Sequence, residues 1–125
     1  MKQIYISVVC VGLLFLSSAQ ALDLAGYLKL KEKSATSATT KIILNSYLQG
    51  VAESEISTSA IEGYTHKDDK QFVNYSCPPK DLVIDDTFVS KMVDVYILGG
   101  DRDVDLSAPV ALAYVAEMAK SYPCK

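Results

Sequence analysis

The sequence predicts an all-α fold: a small bundle of three to four helices, with one disulfide pinning the C-terminal helical hairpin. Three observations lead there. Leu44, Tyr47, Leu48 and Val51 fall at i, i+3, i+4 and i+7, and Phe88, Met92 and Tyr96 at i, i+4 and i+8, which is helical spacing. Little of the chain alternates apolar and polar residues as a half-buried strand would. Two cysteines, Cys77 and Cys124, bracket the last two helical windows, each beside a proline.

The first 21 residues stand apart from that pattern. Met-Lys-Gln is followed by an apolar run of 13 residues, Ile4 to Leu16, and then by Ala19-Gln20-Ala21, the n-region, h-region and A-x-A site of a secretory signal peptide. The run is short for a bilayer span, which needs about 20 residues. Cys10 lies within it and lacks the small-residue pattern of a lipoprotein site. Cleavage after Ala21 leaves 125 − 21 = 104 residues, read as one domain, 22–125. The removed segment carries one Lys and no acid, so 12 − 1 = 11 bases face 15 acids and the net charge is −4. The expected product is exported, acidic and without a membrane anchor.

Within residues 23–33, Leu24, Tyr27, Leu28 and Leu30 form a short amphipathic helix that Asp23 can cap. Ser34 to Thr40 carries no period and reads as a loop or a frayed helix start. The next helix runs from Lys41 to about Thr58, with Ala52 and Ile56 widening its stripe. Gly50 inside it implies close approach of a neighbouring helix, since glycine there costs about 1 kcal/mol relative to alanine. Ser59 to Lys70 is polar and reads as the longest exposed connection. Phe72, Val73 and Tyr75 then lead into Cys77-Pro78-Pro79, which forbids helix. Asp85 and Asp86 open a third helix on Phe88, Met92 and Tyr96, with Val89, Val93 and Ile97 alongside, and Gly99-Gly100 ends it. After an acidic loop, Ser107 reads as the N-cap and Pro109 as the first turn of a last helix, with Leu112, Val115, Met118, Ala119 and Tyr122 inward. Pro123 stops it.

Chemistry is sparse. The net negative charge excludes a basic nucleic-acid footprint. Of three cysteines two survive cleavage, and an even pair in an exported chain reads as a disulfide rather than as two free thiols. Closing about 48 residues, it is worth about 4 kcal/mol on the chain-entropy model. Two cysteines and the single His66 cannot fill a tetrahedral zinc shell. Asp101, Asp103 and Asp105 match the opening of a calcium loop, but its sixth and twelfth positions would be Leu106 and Leu112 instead of Gly and Glu. Asn74-Tyr75-Ser76 fits an N-glycosylation sequon, a match frequent by chance. There is no G-x-S-x-G, H-E-x-x-H or P-loop pattern, and no nucleophile–base set. Neither an enzyme nor a cofactor is expected.

Tyr47-Leu48-Gln49-Gly50-Val51-Ala52 forms an aromatic-x-x-Gly-Val-Ala helix motif, followed by Tyr75-Ser76-Cys77-Pro78-Pro79, Phe88 to Tyr96, Leu106-Ser107-Ala108-Pro109 and Tyr122-Pro123-Cys124. On these motifs residues 44–124 resemble the Rap/Tai immunity proteins, which protect bacteria against the peptidoglycan amidase effectors of type VI secretion. The resemblance carries expectations of its own. It implies a mainly helical periplasmic protein, often a homodimer, that inhibits by laying a surface over an amidase groove. Many members carry a second cysteine pair, and the nearest positions here are Lys31 and Leu44. Position nominates Tyr64, His66, Asp68 and Asp69 in the long polar connection for partner binding, followed by Asp101, Arg102 and Asp103 at the hairpin tip. The alternative is a small disulfide-bonded periplasmic chaperone or stress protein. Carboxylate and histidine loading of the helix interfaces separates the two, and the apolar stripes read as carrying few such groups.

Overall fold

The computed structural model describes residues 21–69, 74–99 and 103–124. The expected signal sequence through Gln20, Phe72, Val73, Gly100, Asp101 and Arg102 lie outside them. The described residues form four helices and no strand: α1 (Leu24–Ser34), α2 (Ala38–Thr65), α3 (Asp86–Leu98) and α4 (Val110–Ser121). The all-α architecture is therefore as the sequence reads.

Three helix starts follow from local chemistry. Asp23 caps α1 by accepting from the Gly26 amide at 2.7 Å. Ser37 caps α2 through the Thr40 amide at 3.2 Å, so that helix begins at Ala38 and the loop before it is only 35–37. Asp85 caps α3 through the Phe88 amide at 2.8 Å, with Asp86 in the first turn where the helix dipole favours a negative charge.

The start of α4 departs from expectation. Its N-cap is Pro109, not Ser107. The Ser107 hydroxyl and amide both donate to Asp105 Oδ1, at 2.6 and 2.9 Å, which removes the serine from capping. Those two bonds also hold the Asp105 carboxyl below its usual range. The same turn is stitched to the chain start. Leu24 N donates to Ala108 O (3.0 Å), Ala25 N to Leu106 O (3.0 Å) and Val110 N to Leu22 O (2.9 Å), around an antiparallel bridge between Asp23 and Pro109.

The core gathers Leu24 and Tyr27 of α1, Leu44, Leu48 and Ala52 of α2, Val89, Met92 and Val93 of α3, and Val110, Ala113, Tyr114 and Met118 of α4. Two stripes are rotated from their expected positions. On α4 the inward set is 110, 113, 114, 117 and 118, and Leu112 is 59% exposed. On α2 Glu55 is buried and its neighbour Ile56 is 50% exposed. Both corrections have one cause: the inward face of each helix contains a glutamate, Glu55 or Glu117, which a purely apolar reading skips.

Helix α2 does not stop near Thr58. Its backbone ladder continues to His66, whose amide donates to Glu62 O at 2.9 Å, and Thr65 Oγ1 donates to Ile61 O at 2.8 Å. Ser57 to Ser59 are weak helix formers, not breakers, and nothing there removes an amide donor. The ten residues from Ile56 to Thr65 are exposed except Glu62, so about 15 Å of helix carries no core-facing stripe that periodicity could reveal.

Cys77 and Cys124 form the disulfide, with Cα atoms 5.0 Å apart. Cys77 N donates to Tyr122 O at 2.8 Å beside it. The bond ties the segment before α3 to the end of α4, and so closes the C-terminal helical hairpin at its open end. Gly99 caps α3 at φ −91°, outside the left-handed region, and a Cβ there would lie 2.7 Å from Val95 O.

Candidate functional site

Helices α2 and α4, with the segment around Tyr75, enclose an open groove of about 470 Å³. One wall is a row of small residues one turn apart on α2: Ser46, Gly50, Ser54 and Thr58. The opposite wall is Ala111 and Val115 of α4. Gly50 is not a point of close helix approach, because a Cβ built there meets nothing within 4 Å. The missing side chain instead leaves the groove open.

The floor is polar. Glu55, 9% exposed, accepts from the Tyr75 hydroxyl on Oε1 at 2.8 Å and from the Tyr114 hydroxyl on Oε2. Burial, the bonds to Glu55 and its charge push the Tyr75 and Tyr114 phenols well above their ordinary value, with Glu62 adding to the effect on Tyr75. Both phenols therefore remain donors across the physiological range. No salt bridge joins a cation to Glu55 among the described residues.

A second polar cluster joins α1 to α3. The Tyr27 hydroxyl donates to Asp94 Oδ1 at 2.9 Å and lies 2.8 Å from Ser90 Oγ, while Lys31 forms an ion pair with Asp94 Oδ2. Burial pulls the Lys31 pKa down, but the bond to Asp94 and the contact with Tyr27 outweigh it, so the net shift is upward. Lys31 is one of the two positions where the family resemblance placed a missing cysteine. Here α1 is fastened through that residue by charge.

The residues nominated from sequence are distributed differently. Tyr64, 77% exposed, belongs to the projecting end of α2 and not to a loop. Lys67 Nζ lies 5.6 Å from the centre of its ring. His66 is the C-cap of α2, and its Nδ1 is 3.8 Å from Asp69 Oδ2. Asp68 is exposed in the turn that follows. The four thus share one helix tip. Asp103 is exposed on the connection between α3 and α4, and Asp101 and Arg102 lie outside the described residues.

Sequence reading missed Glu55, Tyr75 and Tyr114 as a set. The available signal was Glu55 on the Leu44–Leu48–Ala52 stripe, where a carboxylate needs a donor at burial. The interfaces carry more acid than expected, since Glu117 is 4% exposed as well. No group of three or more metal-ligating side chains occurs among the described residues, and no described helix is long and apolar enough to cross a membrane. No family model, curated protein or solved structure matches the chain.

Proposed function

We propose that this chain is an exported immunity-type protein, a binding and inhibition module without catalysis of its own, directed at a peptidoglycan amidase delivered by type VI secretion. The observation that carries the reading is the projecting end of α2. Ile61 and Tyr64, 65% and 77% exposed, stand there beside His66, Asp68 and Asp69, on a stretch that contributes nothing to the core. Large apolar and aromatic groups held on a rigid helix with polar neighbours suit the centre of a protein interface. Tyr47, Gly50 and Val51 of the motif behind the resemblance all line the groove, and its two cysteines are bonded to each other. Leu22, one residue beyond the A-x-A site, is already held by Val110, in keeping with a mature chain that starts there.

The test is periplasmic co-expression with candidate amidases, with cell lysis as readout and complex affinity measured on purified components. Rescue by the intact chain is expected, and it should be lost when residues 64–69 are replaced by Gly/Ser. Rescue from none of the amidases sinks the reading. Undiminished inhibition by the replaced chain excludes that tip.

Buried Glu55 and Glu117 favour one second reading, a periplasmic chaperone that opens in acid and binds clients through its helix faces. Suppression of client aggregation at low pH, with a parallel rise in bis-ANS fluorescence, would support it. Neither would occur for a dedicated inhibitor.

A further inference from the structure

The geometry points to the α2–α4 groove as a binding site for a small primary alkylammonium ligand, with its apolar chain along the groove and its ammonium at Glu55.

Charge complementarity selects this occupant. Glu55 is a buried carboxylate whose partners among the described residues are two neutral phenols and no cation. Burying an uncompensated carboxylate is costly, and a cation entering from the groove offsets that cost. Each carboxylate oxygen accepts one hydroxyl and keeps a lone pair. A primary ammonium, with three N–H donors on a compact charge, can use those lone pairs and the nearby Ser54 and Thr58 hydroxyls. A guanidinium works best on a carboxylate with an open fork, and here one donor already occupies each oxygen. Tyr47, Tyr75 and Tyr114 line the same groove.

The rest of the groove suits a short hydrocarbon. Gly50, Val51, Ala111 and Val115 offer apolar atoms and no charge, and a volume of about 470 Å³ lies within the range of small-molecule pockets. Tyr64, His66, Asp68 and Asp69 at the tip of α2 do not line this groove.

The experiment titrates the purified protein with n-hexylammonium and, separately, with 1-hexanol, which has the same chain and no charge. Affinity is read by calorimetry and the location by NMR shifts of the amides lining the groove. Hexylammonium should bind at least tenfold more tightly than hexanol, and Glu55→Gln should reduce it to the hexanol level. Gly50→Leu, which extends into open space and keeps Glu55, should abolish binding of both while the helical circular dichroism is unchanged. It gives an independent result should Glu55→Gln fail to fold. Equal affinity for the two compounds, undiminished binding by either folded variant, or no binding at all overturns the proposal. A lysine-containing tripeptide that binds where hexylammonium does not would overturn the small-ligand assignment in favour of a protein side chain.

Discussion

Two tyrosine–carboxylate clusters fasten this bundle, one on each side of α2's partners, and they differ in charge balance. Between α1 and α3, Asp94 takes the Tyr27 hydroxyl and is neutralised by Lys31, with the ion pair 42% and 32% exposed. Between α2 and α4, Glu55 takes the hydroxyls of Tyr75 and Tyr114, is 9% exposed and has no bonded cation among the described residues. The first cluster ties α1 to α3 through a partly exposed ion pair. The second sets a buried carboxyl at the base of a groove, with a phenol on each oxygen. An ion pair closes the first cluster along with its hydrogen bonds, whereas among the described residues the second is closed by hydrogen bonds alone.

The comparison can be broken most forcefully through the disulfide, which secures the segment carrying Tyr75. Replacing Cys77 and Cys124 together by serine should lower unfolding free energy by about 4 kcal/mol, less any residual structure in the unfolded chain. Urea denaturation of the variant and the parent measures it, and reduction of the parent should reproduce the loss. A loss confined to the α1 side, with Tyr75 amide exchange unchanged, would contradict the placement.

The tyrosines sharpen the contrast. Tyr114→Phe strips a donor from a buried carboxylate and should cost about 2–3 kcal/mol, in the range for hydrogen bonds to charged groups. Tyr27→Phe leaves Asp94 with Lys31 and water, so about 1 kcal/mol is expected. Equal losses in the two variants would remove the distinction drawn between the clusters.

Alkali offers a third probe. Tyr75 and Tyr114 have folded pKa values raised above the unfolded value of about 10, so the folded chain holds those protons more tightly. The stability they contribute is fully present below pH 10 and declines as pH rises toward the folded values. Tyrosinate absorbance at 295 nm should therefore lag in the folded protein and rise steeply as it unfolds. In Glu55→Gln, which lacks the charge opposing ionisation, the rise should come at lower pH. An unmoved curve would deny the coupling.

The smallest effect belongs to Lys31→Ala. Its pair with Asp94 is more than a third exposed on the lysine side, so solvent screening limits the loss to about 0.5 kcal/mol. Most of that should vanish in 1 M salt, where the Debye length is about 3 Å. A salt-insensitive loss would mean that the lysine stem, not its charge, holds α1.

Much of the fold was readable because its causes are local. Asp23 and Asp85 cap the helices that follow them, Gly99 ends α3, and an even cysteine pair predicts its own bond. The end of α2 was misplaced because its last turns add no residue to the described core, and a helix without a buried face leaves no apolar period to follow. Ser107 has the chemistry of a cap, yet Asp105 two residues away takes its hydroxyl. The candidate groove was almost unreadable: Glu55, Tyr75 and Tyr114 are separated by 20 and 59 residues from the carboxylate to its two donors.

Sequence alone determined the helical class, two of the four helix starts, and the cysteine pair, since capping, periodicity and thiol count act over a few residues or none. Tertiary structure decided which face of α2 and α4 turns inward, that Gly50 leaves open space, and that Glu55 meets two phenols. Those outcomes depend on where distant helices pack, and a side chain's burial and charge balance are properties of its neighbours in space.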